Sequence, residues 1–224
     1  ELSEDGDDGV AALHVSDVET AANLLSVTVV SSSKTTLIAT SDVTITAGTG
    51  GNRTVKVNPK LNQNGSAEIT LKVTDANSGA TTVKFIVNVA AVNDIPATTN
   101  RTININEDSG VNTLTKAQAY TDPDVTTNGD VVKVTIATQA QHGTATVQAD
   151  GSIKYQPNAN FNGTDFYVYQ AEDSSKTSTS ATITYNIAQV NDAPTTANDT
   201  ATTGEDEAVD IDVLSNDNDV DKDP

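Results

Sequence analysis

Val92-Asn93-Asp94-Ile95-Pro96 recurs as Val190-Asn191-Asp192-Ala193-Pro194, 98 positions further along the chain. Acidic positions on either side keep the same register. Glu107-Asp108 returns as Glu205-Asp206 and Asp75 as Asp173, each 98 positions later, and Asp122-Pro123-Asp124 returns as Asp219-Val220-Asp221 after 97. Looser versions stand near the start as Glu4-Asp5 and Asp17-Val18-Glu19. So many acids in one register mark an internal repeat. The register divides the chain into a first repeat, residues 1–91, lacking the start of its first strand, a complete second repeat, 92–189, and a linker with the truncated start of a third, 190–224. That last piece is too short for most of a domain's strands, so only partial order is expected of it.

Between these marks the pattern is strand. Ile69, Leu71 and Val73 alternate with polar neighbours, as do Val83, Phe85, Val87 and Val89. In the second repeat Val132, Val134 and Ile136 alternate, and so do Ala181, Ile183, Tyr185 and Ile187. A period of two with Thr, Val and Ile enrichment reads as half-buried strands. Asn64-Gly65, Asn128-Gly129, Asp150-Gly151 and Asn162-Gly163 separate them as turns. A weak helical turn is expected over 114–120. The fold class is therefore all-β: tandem antiparallel Greek-key sandwiches of about seven strands each, arranged end to end.

Composition bounds the function. The 224 residues carry a formal net charge of -19, and no Cys, Met or Trp. Disulfides and thiolate metal sites are excluded. With 12 Lys and Arg, scattered rather than clustered, nucleic acid is not an expected partner. No apolar run reaches the roughly 18–20 residues of a membrane helix, so direct membrane insertion is not expected either. The acidic stretch from Glu1 to Gly9 has no signal-peptide pattern and reads as the interior of a longer protein.

The repeated acids need a reason to share a register. In a sandwich the loops gather at two poles. One junction is expected to collect Glu4, Asp5, Asp75, Asp94, Asp122 and Asp124, and the next Glu107, Asp108, Asp173, Asp192, Asp219 and Asp221. Two unit charges about 5 Å apart repel by roughly 3 kcal/mol at an effective dielectric near 20. Such clusters call for a cation. Ca2+ takes about 6–8 oxygen ligands, backbone and Asn carbonyls among them, whereas Mg2+ resists dehydration and prefers strict octahedral sites. Asn93 and Asn191 either offer an oxygen or shape the linker, and Asp108 and Asp206 read equally well as turn caps. The bland alternative for any one of these acids is a solvated loop charge.

These motifs resemble the calcium-binding scheme of cadherin repeats. His142-Gly143-Thr144, Tyr155-Gln156-Pro157-Asn158 and Phe161-Asn162-Gly163-Thr164-Asp165 look like the bacterial cadherin-like or Ig-like repeats of large RTX-type surface adhesins, as does Leu214-Ser215-Asn216-Asp217 with Asp219-Val220-Asp221. The resemblance implies secreted, cell-surface extender repeats with adhesion and biofilm roles, Ca2+ on the acids named above, and neighbouring repeats, polysaccharide or a host surface as partners. The first repeat departs from it by lacking the Gly-Thr and Tyr-Xaa-Pro-Asn segments.

Catalysis is not expected. His14 and His142 lie in different repeats without a repeated partner, and no Gly-Xaa-Ser-Xaa-Gly elbow exists. The rival reading is a carbohydrate-binding module of a secreted polysaccharide-acting protein, which needs an exposed aromatic. Phe166 and Tyr167 cannot both face inward from one regular strand. A buried Lys–Asn–acid trio that would form an isopeptide is not marked in the sequence.

Overall fold

The computed structural model describes residues 2–6, 8–175 and 178–221. Contacts divide the chain into two compact units. The first joins Glu1–Ile95 with Asp122–Val131, and the second joins Pro96–Thr121 with Val132–Pro224.

In the first unit the strands are β1 (Leu2–Ser3), β2 (Gly9–His14), β3 (Ser26–Ser32), β4 (Val43–Ala47), β5 (Asn52–Val57), β6 (Gly65–Thr74) and β7 (Ala80–Ala90). They form one sheet ordered β1-β7-β6-β3 and a second ordered β2-β5-β4. The second unit holds β8 (Arg101–Asn106), β9 (Asn112–Leu114), β10 (Lys133–Thr138), β11 (Gly143–Val147), β12 (Ile153–Pro157), β13 (Gly163–Glu172) and β14 (Ser178–Ala188). Its sheets run β10-β13-β14-β8 and β11-β12-β9, the same plan strand for strand. Seven strands per unit among the described residues match the periodicity. Both plans even place a bulge alike, between Val29 and Ser31 on β3 and between Ile136 and Thr138 on β10. A bulge repeated at one place in two copies is a built feature of the sheet.

Alternation explains the packing. β5 reads exposed-buried throughout, with Arg53, Val55 and Val57 inward. Leu37, Ile38, Ile69 and Leu71 complete the first core, all fully buried. The Arg53 guanidinium is buried with no ion pair to a carboxylate among the described residues. It donates instead to the carbonyls of Gly50, Asn52, Ala22 and Leu25, so the charge is hydrogen-bonded as burial requires. In the second unit the inward positions of β12, β13 and β14 include four fully buried tyrosines, Tyr155, Tyr167, Tyr169 and Tyr185, set among Ile153, Ile183 and Ile187. Tyr155 and Tyr185 stack at 4.1 Å between ring centroids. Phe166 is 41% exposed and Tyr167 is 0% exposed, so the outward aromatic is Phe166.

One buried carboxylate, Asp165, anchors Tyr155 of this core. Asp165 Oδ1 accepts from the N–H groups of Gln141 (3.0 Å) and Phe166 (2.9 Å), and Oδ2 from His142 N–H (3.0 Å) and the Tyr155 hydroxyl (2.8 Å). Burial first, then the bond to Asp165, pushes the Tyr155 hydroxyl pKa up. The segment ahead of β11 is thereby tied to β13.

Turns set the acids in place. The expected helical turn appears as α1 (Lys116–Ala119), and a second, α2 (Asp124–Thr127), follows Pro123. Residues 190–221 hold no strand, only an isolated bridge between Thr195 and Asn218. The second repeat makes the equivalent bridge between Ala97 and Thr121.

Asp165→Ala leaves three backbone donors and a phenol without their acceptor. It should lower the second unit's stability by about 3 kcal/mol or more, and amide-exchange protection in the first unit should not change.

Candidate metal centres

In each unit a glutamate directly follows the first strand. Glu4 follows β1 and its N–H donates to Ala90 O at 3.1 Å, and Glu107 follows β8 and donates to Ala188 O at 2.9 Å. Each side chain turns inward, 3% exposed for Glu4 and 2% for Glu107. Glu4 Oε1 accepts the N–H of Val92 at 2.7 Å and Glu107 Oε1 that of Val190, also at 2.7 Å. The other oxygen of each meets an asparagine amide: Asn64 Nδ2 at 3.2 Å from Glu4 and Asn162 Nδ2 at 3.5 Å from Glu107. The linker is thus held to the strand end by a carboxylate in both copies.

The linker then hands on to the next acids. Asp94 N–H donates to Asp124 Oδ2 at 2.6 Å, and Asp124 N–H to Asp122 Oδ1 at 2.8 Å. In the second unit Asp192 N–H donates to Asp221 Oδ2, and Asp221 N–H to Asp219 Oδ1 at 2.9 Å. Asn128 Nδ2 closes on Asp124 Oδ1, and Gln189 Nε2 on Asp221 Oδ1. Asp124 is 2% exposed. The N–H donors on hand are fewer than the carboxylate oxygens. Asp94 Oδ2, Asp122 Oδ2, Asp130 Oδ2 and Asp192 Oδ2 are buried with no hydrogen-bond partner.

Electrostatics agrees with this shortage. The Asp94 carboxyl is raised above the ordinary 3.8 by burial first, then by Asp5, Asp124, Glu4 and Asp122. Asp192 is raised by burial, then Asp108, Asp221, Glu107 and Asp219. Asp122 is raised mainly by burial, against the N–H bond from Asp124 that lowers it. Asp221, by contrast, is lowered by the N–H of Asp192 and the amide of Gln189. Ten of the acids named from sequence therefore fall into two sets, Glu4, Asp5, Asp94, Asp122 and Asp124 in one unit and Glu107, Asp108, Asp192, Asp219 and Asp221 in the other.

Asp75 and Asp173 do not join these sets. The β6–β7 hairpin pairs Gly65 with Val89 at the end where Glu4 sits and Thr74 with Ala80 at the other. Asp75 follows Thr74, so a ten-residue strand of about 30 Å separates it from Glu4. Its Oδ1 accepts the N–H groups of Asn77 and Gly79, capping its own turn. Asp173, 4% exposed, sits likewise at the far end of the β13–β14 hairpin and accepts from the Ser175 hydroxyl at 2.7 Å. Asn93 and Asn191 turn their amides onto the carbonyls of Asp94 and Asp192, at 3.0 and 2.9 Å, shaping the linker. Asp108 adopts φ +55 and accepts Asn160 N–H at 3.2 Å. It serves a turn while its charge still bears on Asp192. Asn64, Asn128, Asp130, Asn162 and Gln189 were not singled out as site residues. Their signal was available in part, since Asn64 and Asn162 are themselves 98 apart.

A hard cation fits these residues. All donors are oxygens, both sets carry excess negative charge, and each holds at least one orphaned carboxylate oxygen. No three His, Asp or Glu side chains among the described residues already stand around one point as an ion would need. Carboxylate oxygens are instead engaged with backbone and amide donors. Closure on an ion would exchange some of those N–H bonds for ion contacts.

The raised carboxyls fix a pH dependence for the metal-free chain. A folded-state pKa above the ordinary value gives stability that is present below that value and lost as pH rises through the raised one. In chelator, the melting temperature should fall as pH rises from about 4 through the raised carboxyl range, and an Asp94→Asn, Asp192→Asn chain should show a shallower fall.

Residues 93–189 match the family model of the bacterial cadherin-like domain. No curated protein matches the chain. Among solved structures, human CDH23 EC21-23 is similar at 17% identity over 88% of this chain and 74% of that one, with a TM-score of 0.49. Human mucin-like protocadherin EC1-2 is similar at 15% identity over 75% and 85%, TM-score 0.42. The endo-fucoidan hydrolase MfFcnA4 from glycoside hydrolase family 107 is similar at 17% identity over 82% of this chain, TM-score 0.35, and the chain spans 26% of its length.

Proposed function

We propose that this chain is a run of calcium-stiffened, non-catalytic cadherin-like repeats from a large secreted bacterial surface adhesin, holding distal binding domains away from the cell. The observation that carries the reading is the recurrence of one carboxylate shell in both units, each with a buried, unpartnered Oδ2 at the linker aspartate, Asp94 and Asp192.

Glu4, Asp5, Asp94, Asp122 and Asp124 would hold Ca2+ in the first unit, and Glu107, Asp108, Asp192, Asp219 and Asp221 in the second. When bound, Ca2+ would supply the positive charge that both sets lack. The chain's own residues do the rest. Glu4 and Glu107 anchor the linker N–H groups to a strand end. Asp124 and Asp221 tie the linker aspartates to the following turn. Without neutralisation these acids repel, and the backbone segments they join are held only by hydrogen bonds among like charges. No helix of the described residues is long and apolar enough to cross a membrane.

Ca2+ should raise the melting temperature, corresponding to about 2.7 kcal/mol at a concentration 100 times the dissociation constant. It should also lengthen the particle in solution scattering. EDTA should reverse both effects, and Asp94→Ala should weaken them while both sandwiches stay folded. Identical melting and scattering with Ca2+ and with EDTA would refute the reading.

A second reading rests on Phe166. Its exposed ring lies on the outer face of β13 in the row with Thr184, beside Thr164 and Asn186. Asn186 Nδ2 donates to Asn104 Oδ1 at 2.9 Å on β8. An aromatic ring flanked by amides and hydroxyls is the kind of surface a sugar ring packs on. A pull-down on insoluble polysaccharide decides between the readings. Retention lost in Phe166→Ala would favour the carbohydrate module, and no retention would favour the extender.

A further inference from the structure

The chain contains three Asn-Gly dipeptides, Asn64-Gly65, Asn128-Gly129 and Asn162-Gly163. Turn chemistry accounts for their presence in a β-rich chain. It does not account for where their side chains go. All three carboxamides donate to a carboxylate of the acidic sets: Asn64 to Glu4 Oε2, Asn128 to Asp124 Oδ1 and Asn162 to Glu107 Oε2. Asn64 Nδ2 also reaches Asn128 Oδ1, so two of the three sit side by side.

We propose that Asn64, Asn128 and Asn162 are sites of spontaneous deamidation, through which each acidic set exchanges a closing amide donor for an additional carboxylate. The backbone nitrogen of the following glycine attacks the asparagine Cγ. A Cγ–N bond forms, the Cγ–Nδ2 bond breaks, and ammonia leaves with a proton taken from the glycine N–H. Water then opens the cyclic imide at either carbonyl, giving aspartate or isoaspartate. Ammonia is lost, water is gained, and nothing is oxidised or reduced. Glycine favours the attack because no Cβ crowds its nitrogen and its backbone visits conformations closed to other residues. Gly65 and Gly163 already hold φ of +109 and +128.

One site carries an additional activating contact. Lys34 Nζ donates to the backbone carbonyl of Asn64 at 2.8 Å. That carbonyl and the attacking Gly65 nitrogen belong to the same peptide group. The ammonium withdraws electron density from it and eases loss of the N–H proton. Among the described residues no lysine donates to the Asn162 carbonyl, so the two equivalent positions should react at different rates.

The product changes the site whether or not an ion binds there. Aspartate at 64 or 162 can no longer donate to the buried Glu4 or Glu107 oxygen and places a new charge against it. Isoaspartate also inserts a methylene into the backbone where β6 or β13 begins.

The test incubates the full chain at mildly alkaline pH and follows each asparagine by peptide mass mapping, resolving aspartate from isoaspartate. Asn64, Asn128 and Asn162 should convert several-fold faster than Asn52 and Asn100, which precede arginines. Lys34→Met should slow Asn64 several-fold and leave Asn162 unchanged. In chelator, Asn64→Asp should melt at a lower temperature than the parent chain, with Asn198→Asp unaffected. Equal rates at all five asparagines would overturn the modification. An unchanged melting temperature for Asn64→Asp would overturn its effect on the acidic set. Neither result depends on whether Ca2+ binds.

Discussion

Carboxylates outnumbering the donors within their reach are the constraint on which both units turn. Each set spends linker N–H groups, two side-chain amides and the next turn's backbone on its acids, and still leaves a buried oxygen at Asp94 or Asp192 without a partner. Burying an ionised carboxylate without pairing is costly. Like charges a few ångströms apart add to that cost. The same pattern twice in one chain argues that the shortage is a property of the repeat rather than an accident of one loop. A hard cation is the simplest agent that removes it.

The sandwich makes that crowding possible. Long hairpins, β6–β7 and β13–β14, fix which turns share a pole. The parallel pairing of β1 with β7, and of β8 with β14, delivers Glu4 and Glu107 to the pole where the linker leaves. The interior is assembled differently in the two copies. The first relies on aliphatic side chains such as Ile69 and Leu71. The second adds four fully buried tyrosines, of which Tyr155 donates to Asp165 and Tyr169 to the Ala119 carbonyl. Identical topology with unlike cores shows that the strand plan and the acidic termini are common to both repeats, while the filling is free to vary.

Much of this was legible in the residues. Period-two alternation identified the strands because each sandwich strand buries one face, and the Asn-Gly and Asp-Gly pairs marked their ends. The 98-residue register found Glu107, Asp94, Asp192 and the Asp-Xaa-Asp turns, since a shell built twice must repeat its acids. Asp75 and Asp173 repeat equally well, yet lie at the opposite poles. Register says that two positions are equivalent between copies and nothing about which positions meet within one. α2 was not anticipated, although Pro123 is preorganised for a helical first turn. Asn64 and Asn162 were read as turn formers only, because a side chain's hydrogen-bond partner depends on the neighbouring strand and leaves no local mark.

If the crowded acids exist to hold divalent ions, the ions must sit beside the linker aspartates. Anomalous diffraction from crystals grown with Ca2+ tests this directly, with calorimetry giving the stoichiometry in solution. Density within ligating distance of Asp94 and Asp192, and loss of the corresponding heat in Asp94→Ala, is the expected result. Crystals from calcium-rich buffer with Asp94 and Asp192 bare, together with no heat of binding, would contradict it.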